Sequence, residues 1–147
     1  MRSYAVLLLA MMLEEYCART GVGLVYTSPA DIVFDDETLV QPDVFVVPGR
    51  SGGPPSSWRM SRRPMLAAEV ISPASARHDR GPKRVLYGAQ RVDEYWIVDT
   101  DSRVIERWTP GDPRPEVLAV RLAWQPDPAN AALEIDVAGY FERVWGS

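Results

Sequence analysis

Two carboxylates stand where acids are costly. Asp43 lies inside VQPDVFVV and Glu69 inside LAAEVIS, each enclosed by apolar, strand-like residues. An ionised carboxylate buried in such a run needs a positive partner. For either acid alone, an arginine in a structural salt bridge would meet that need. Two acids on neighbouring strands, about 4.8 Å apart, could instead share one cation. Hard oxygen donors of this kind suit Mg²⁺ or Mn²⁺, the ions that work on phosphate esters.

A third group completes the set. The stretch EVISPASARHDRGPKRVLYG, residues 69–88, holds Lys83, the only lysine beside fifteen arginines. Lysine presents a compact point charge on a flexible stem, whereas arginine presents a planar fork that stays protonated. Asp79, Lys83 and Tyr87 follow one another at i, i+4 and i+8, so a helix would align them on one face. Such a lysine can orient a water and stabilise charge on a phosphate. An exposed lysine paired with Asp79 explains the same spacing without chemistry, and Asp79 also suits a helix cap. His78 is the single histidine and falls in a loop-like stretch.

The elements that must position these groups follow from periodicity. Residues 3–19 carry Val6, Leu9, Met12, Leu13 and Tyr16 at helical spacing, and Gly21 and Gly23 end the pattern. Strands are expected at GLVYTS, DIVFDD and the longer TLVQPDVFVVP, then a loop over residues 50–64. MLAAEVIS, between Pro64 and Pro73, reads as an interior strand. A helix is expected over about 79–91, with Pro82 in its first turn. EYWIVDT and RVIERWT form a hairpin, in whose turn Asp99 is expected to bond the backbone. PEVLAVRLAW reads as a further strand, PDPAN as a loop and DVAGYFERVW as a closing helix. Strands interleaved with helices predict an α/β (α+β) domain on one mixed sheet.

Composition narrows the function classes. A chain of 147 residues with 24% charged residues suits one globular domain, 1–147. One cysteine, Cys17, excludes an intrachain disulfide and fits a cytoplasmic protein. The apolar N-terminal run has no signal cleavage site and is too short to span a bilayer, so no membrane role is expected. A net charge of −4 argues against a general nucleic-acid coat, yet nine of the sixteen Lys and Arg residues lie between Arg50 and Arg91 against two acids. Positive charge gathered in one segment can hold a phosphate-bearing ligand, although a solvated loop gives the same count.

Taken in order, VQPDVFVV, AAEVISPASARHDRGPKRVLYG and VDEYWIVD resemble the Uma-type family of small bacterial "putative restriction endonuclease" proteins, a branch of the PD-(D/E)XK nucleases. The resemblance implies a restriction-endonuclease-like fold: a central mixed sheet with flanking helices, an αβββαβ core, and further strands and a helix after Asp99. It makes Asp43 the acid of the PD motif and Glu69 the second acid, with the Val70 carbonyl a further metal ligand. The superfamily usually places its lysine two residues after the second acid, where this chain has Ile71. Lys83, on the following helix, takes that role. Mg²⁺ or Mn²⁺ is the implied cofactor and DNA the substrate; nuclease folds that cut both strands are often dimers, so a homodimer stays open, with the apolar first helix the one interface candidate. Arg62, Arg63, Arg77 and Arg80 are the expected phosphate contacts, with Asp79 and Tyr87 in support. Family members usually carry a further N-terminal segment, which predicts a more open site here. Two other readings fit the residues: a nuclease fold kept as a binding or assembly module, and a metal-dependent hydrolase of small phosphate esters.

Overall fold

The computed structural model describes residues 1–28, 31–35, 38–49, 59–60, 63–71 and 92–146. Helix α1 runs Arg2–Thr20 and closes on Gly21, whose φ of 75° places it in the left-handed region and whose N–H donates to the Cys17 carbonyl at 2.7 Å. Eleven strands follow among the described residues. The first five are β1 (Gly23–Thr27), β2 (Asp31–Asp35), β3 (Thr38–Val40), β4 (Val44–Pro48) and β5 (Arg59–Met60). The others are β6 (Leu66–Ile71), β7 (Glu94–Asp99), β8 (Val104–Trp108), β9 (Glu116–Leu118), β10 (Arg121–Trp124) and β11 (Leu133–Asp136), before the closing helix α2 (Val137–Trp145).

A six-stranded sheet in the order β1-β4-β6-β7-β8-β9 forms the centre, antiparallel except for the parallel pair β6 and β7. This is the mixed sheet that the sequence predicts. A parallel neighbour requires a crossover connection; the helix expected over about 79–91 lies outside the described residues. β2, β3 and β5 make a second sheet, and β10 with β11 a hairpin.

Strand alternation divides the core. Val44, Val46, Leu66, Ala68, Val70, Trp96 and Val98 face α1 and α2, and Phe45, Val47, Ala67, Ile71, Tyr95 and Ile97 form a second cluster. The two helices are tied together where the Tyr140 hydroxyl donates to the Ala5 carbonyl at 2.6 Å. Asp136 caps α2 by accepting the Gly139 N–H. Among the described residues no helix is long and apolar enough to cross a membrane.

Three expectations need correction. TLVQPDVFVVP is two strands in different sheets, because Pro42 has no N–H for a ladder and the chain bends at Asp43 before entering the central sheet. PEVLAVRLAW also splits: β9 closes the edge of the large sheet, β10 leaves to pair with β11, and the Val120 carbonyl between them accepts the Val137 N–H at 2.9 Å. Within the expected loop over 50–64, Arg59–Met60 pairs in parallel with β2. Strand β11 lies in a segment where no strand was expected.

Candidate functional site

The register of β4 on β6 sets the two acids. Val44 lies opposite Ala68 and Phe45 opposite Ala67, so Asp43, the residue before β4, and Glu69, the residue after Ala68 on β6, come to the same end of the strand pair. Both acids are buried, Asp43 at 8% exposure and Glu69 at 1%.

β4 begins only at Val44, and this leaves the Val70 N–H and C=O facing a side where β4 does not reach. Buried backbone groups in that position need other partners. The Asp43 carboxylate accepts the Val70 N–H at 2.8 Å, and the Val70 carbonyl accepts Nε–H of Arg2 at 3.0 Å. The same guanidinium donates through Nη2 to both Asp43 oxygens, at 2.7 and 2.9 Å. Arg2 therefore spans the two groups that the resemblance assigns to a metal. Its side chain is half-exposed and borders a cleft of about 340 Å³ lined also by Ser3, Thr27, Ser28 and Asp43.

Arg2 did not stand out in the sequence, although an arginine partner for a buried acid was one of the two expected answers. The available signal was its place. Arg2 opens α1, and no acid lies in that first turn. A cation there opposes the helix dipole, so something outside the helix must hold it.

The donor chemistry fits a divalent cation. The two Asp43 carboxylate oxygens and the Val70 carbonyl turn towards one positive group, and a second acid, Glu69, is buried one residue before Val70 on β6. Mg²⁺ is commonly held by one or two carboxylates with water completing its shell. Among the described residues no group of three or more His, Cys, Asp or Glu side chains gathers, and the Val70 carbonyl offers a backbone oxygen beside the Asp43 carboxylate.

The other expected residues separate. Ile71 is buried in the second core cluster and carries no charge to the site. Arg63 lies beyond the opposite end of β6, on the order of 15–20 Å from Glu69 along the strand. It is exposed and pairs with Asp93 at 2.6 Å. Asp99 accepts the N–H groups of Asp101 and Ser102, both at 3.1 Å, which is the turn role expected of it. Lys83, Asp79, Tyr87, Arg62, Arg77, Arg80 and His78 lie outside the described residues.

The model of the Uma2 family, described as "Putative restriction endonuclease", matches residues 2–138. The chain belongs to the Uma2 family. That match spans Asp43, Glu69, Val70 and Lys83, and the family description places the protein among nucleases in a general sense. Among solved structures, the crystal structure of a putative nuclease belonging to DUF820 from Anabaena variabilis ATCC 29413 is similar with a TM-score of 0.70 at 16% identity, covering 96% of this chain and 80% of that one. At that identity the likeness is one of fold, and it agrees with the central sheet and flanking helices of this Uma2 protein. A comparison with curated proteins returns no match.

Proposed function

We propose that this Uma2 protein is a metal-dependent endonuclease that hydrolyses DNA phosphodiester bonds, with Asp43, Glu69 and Lys83 as its reactive set. The observation that carries the reading is the convergence of the Asp43 carboxylate and the Val70 carbonyl on one cationic position, with Glu69 buried one residue before Val70 on β6. Asp43, Glu69 and Val70 would hold Mg²⁺ or Mn²⁺. When bound, such an ion supplies Lewis acidity for a phosphoryl oxygen and for an attacking water. Burial of both acids keeps the local dielectric low, which strengthens their hold on a cation. Lys83 would orient the nucleophile and stabilise the charge that develops on the phosphate. The arginines between Arg50 and Arg91, with Arg62, Arg63, Arg77 and Arg80 foremost, would meet the DNA backbone. Asp79 and Tyr87 would support Lys83 from the same helix face. A cytoplasmic setting agrees with the free thiol of Cys17, and a second copy of the chain would supply the cut on the opposite strand.

Cleavage of supercoiled plasmid tests the proposal. Nicking that requires Mg²⁺ or Mn²⁺, stops with EDTA and is lost in Glu69→Gln and Lys83→Ala is the expected result. No cleavage in either metal, or equal cleavage by the variants, contradicts it.

One observation favours a second reading. Asp43 is already neutralised by Arg2, as in a purely structural ion pair, so the fold could serve as a binding or assembly module. A module would leave the plasmid intact and bind no divalent ion at Asp43.

A further inference from the structure

Arg2 donates to three oxygens, Oδ1 and Oδ2 of Asp43 and the carbonyl of Val70. These include every Asp43 and Val70 oxygen through which a metal would be held. A guanidinium and a divalent ion carry charge of the same sign and need the same lone pairs, so they cannot both occupy that position at full strength. We propose that Arg2 is the resident counter-cation of this site, and that a divalent ion enters only by displacing its side chain. The inference rests on the metal-site reading of Asp43 and adds to it a linkage between metal uptake and the first turn of α1.

Three features make displacement feasible. Arg2 is the first residue of α1, where the helix dipole disfavours positive charge, so its anchor is Asp43 and the Val70 carbonyl rather than its own helix. Its side chain is half-exposed, so leaving the carboxylate returns it to water and not to an apolar core. The adjoining open cleft, lined by Ser3, Thr27 and Ser28 beside Val6, Leu7 and Ala10, gives the released side chain room at the solvent-facing side of the site. While Arg2 is seated, only the fraction of molecules with Arg2 turned away can take up metal, and the apparent affinity falls by that fraction. Removing the guanidinium removes this penalty.

The test is calorimetric titration of the full chain with Mg²⁺ and with Mn²⁺, for the parent, Arg2→Gln, Arg2→Ala and the Arg2→Gln/Asp43→Asn double variant. In parallel, the ¹⁵N signal of Arg2 Nε, assigned by its loss in Arg2→Gln, is followed in the parent as Mg²⁺ is added. This second measurement stands even if a variant folds poorly. The expected result is binding tighter by roughly tenfold or more in both single variants, lost in the double variant, with the Arg2 Nε signal shifting at the same midpoint as metal uptake. Equal affinity in the parent and single variants, abolished by Asp43→Asn, or an Nε signal unmoved at saturating Mg²⁺, overturns the exchange while the metal site stands. Absence of binding in every form, or binding that survives Asp43→Asn, overturns both.

Discussion

Arg2 and Asp43, 41 residues apart, are joined through a single guanidinium nitrogen that donates to both carboxylate oxygens. The remaining reach of the side chain goes to Val70 on β6, so one residue of α1 closes the gap left before β4 begins. In metal-free buffer, Arg2→Gln should lower stability by about 1–3 kcal/mol, the cost expected when the half-exposed partner of a buried carboxylate is lost. Added Mg²⁺ should recover that loss more fully in the variant than it stabilises the parent. Thermal melts with EDTA and with excess Mg²⁺ measure both effects.

Asp43→Asn and Glu69→Gln should each reduce metal-dependent DNA cleavage by roughly 100-fold or more, since each removes negative charge from the cation position. Glu69→Gln leaves the Arg2 contact to Asp43 in place and is therefore the cleaner variant. Initial nicking rates at matched protein concentration give the ratio.

Burial pushes the Cys17 thiol up to about 11, with the neighbouring Glu14 charge adding to the effect. At pH 8 only about one molecule in a thousand would carry the thiolate, and the side chain is also covered by the core of α1. Thiol reagents should react with the native chain far more slowly than with the unfolded chain. Equal labelling rates with and without denaturant would contradict this placement.

Burial also raises the Glu94 carboxyl above its ordinary value of 4.5, against the opposing pull of the Trp96 indole and the Arg107 charge. Because its folded pKa lies above the unfolded one, the folded chain binds this proton more tightly. The favourable contribution is present below the unfolded value and is lost as pH rises through the folded pKa. Glu94→Gln keeps an oxygen to accept the Trp96 Nε1–H, which lies 2.9 Å from Oε1. The variant should therefore flatten this part of the stability profile. Melting temperatures from pH 4 to pH 7 for parent and variant give the comparison.

Gly23 is required by space. A Cβ there would lie 2.7 Å from both Val46 Cγ1 and the Val47 carbonyl, and 2.9 Å from Met65 Cε. Gly23→Ala should cost about 1–3 kcal/mol, because the β4 backbone oxygen cannot move aside. Denaturant titration measures this directly.

How far the sequence reaches is clear from particular segments. α1, β6, the β7–β8 hairpin and α2 were legible because each has one periodicity and a clear stop, such as Gly21 or the Asp99 turn. Two long apolar runs misled because apolar character continues through a change of sheet. Pro42 marked the first break, whereas Ala119 and Val120 carry no comparable signal. β11 alternates Leu-Glu-Ile-Asp, but four residues beside a loop are a weak pattern. Asp43 and Glu69 could be singled out from their apolar neighbours alone. Arg2 could not, because what gives it meaning is a carboxylate and a carbonyl brought to it by β4 and β6.

The central claim is that the position bridged by Arg2 is the divalent-metal site of this Uma2 protein. Anomalous diffraction from crystals soaked in Mn²⁺ tests it most directly. A peak bounded by Asp43, Glu69 and the Val70 carbonyl, with the Arg2 side chain turned away, is the expected result. No peak there at saturating Mn²⁺, with Arg2 still seated on Asp43, would contradict it.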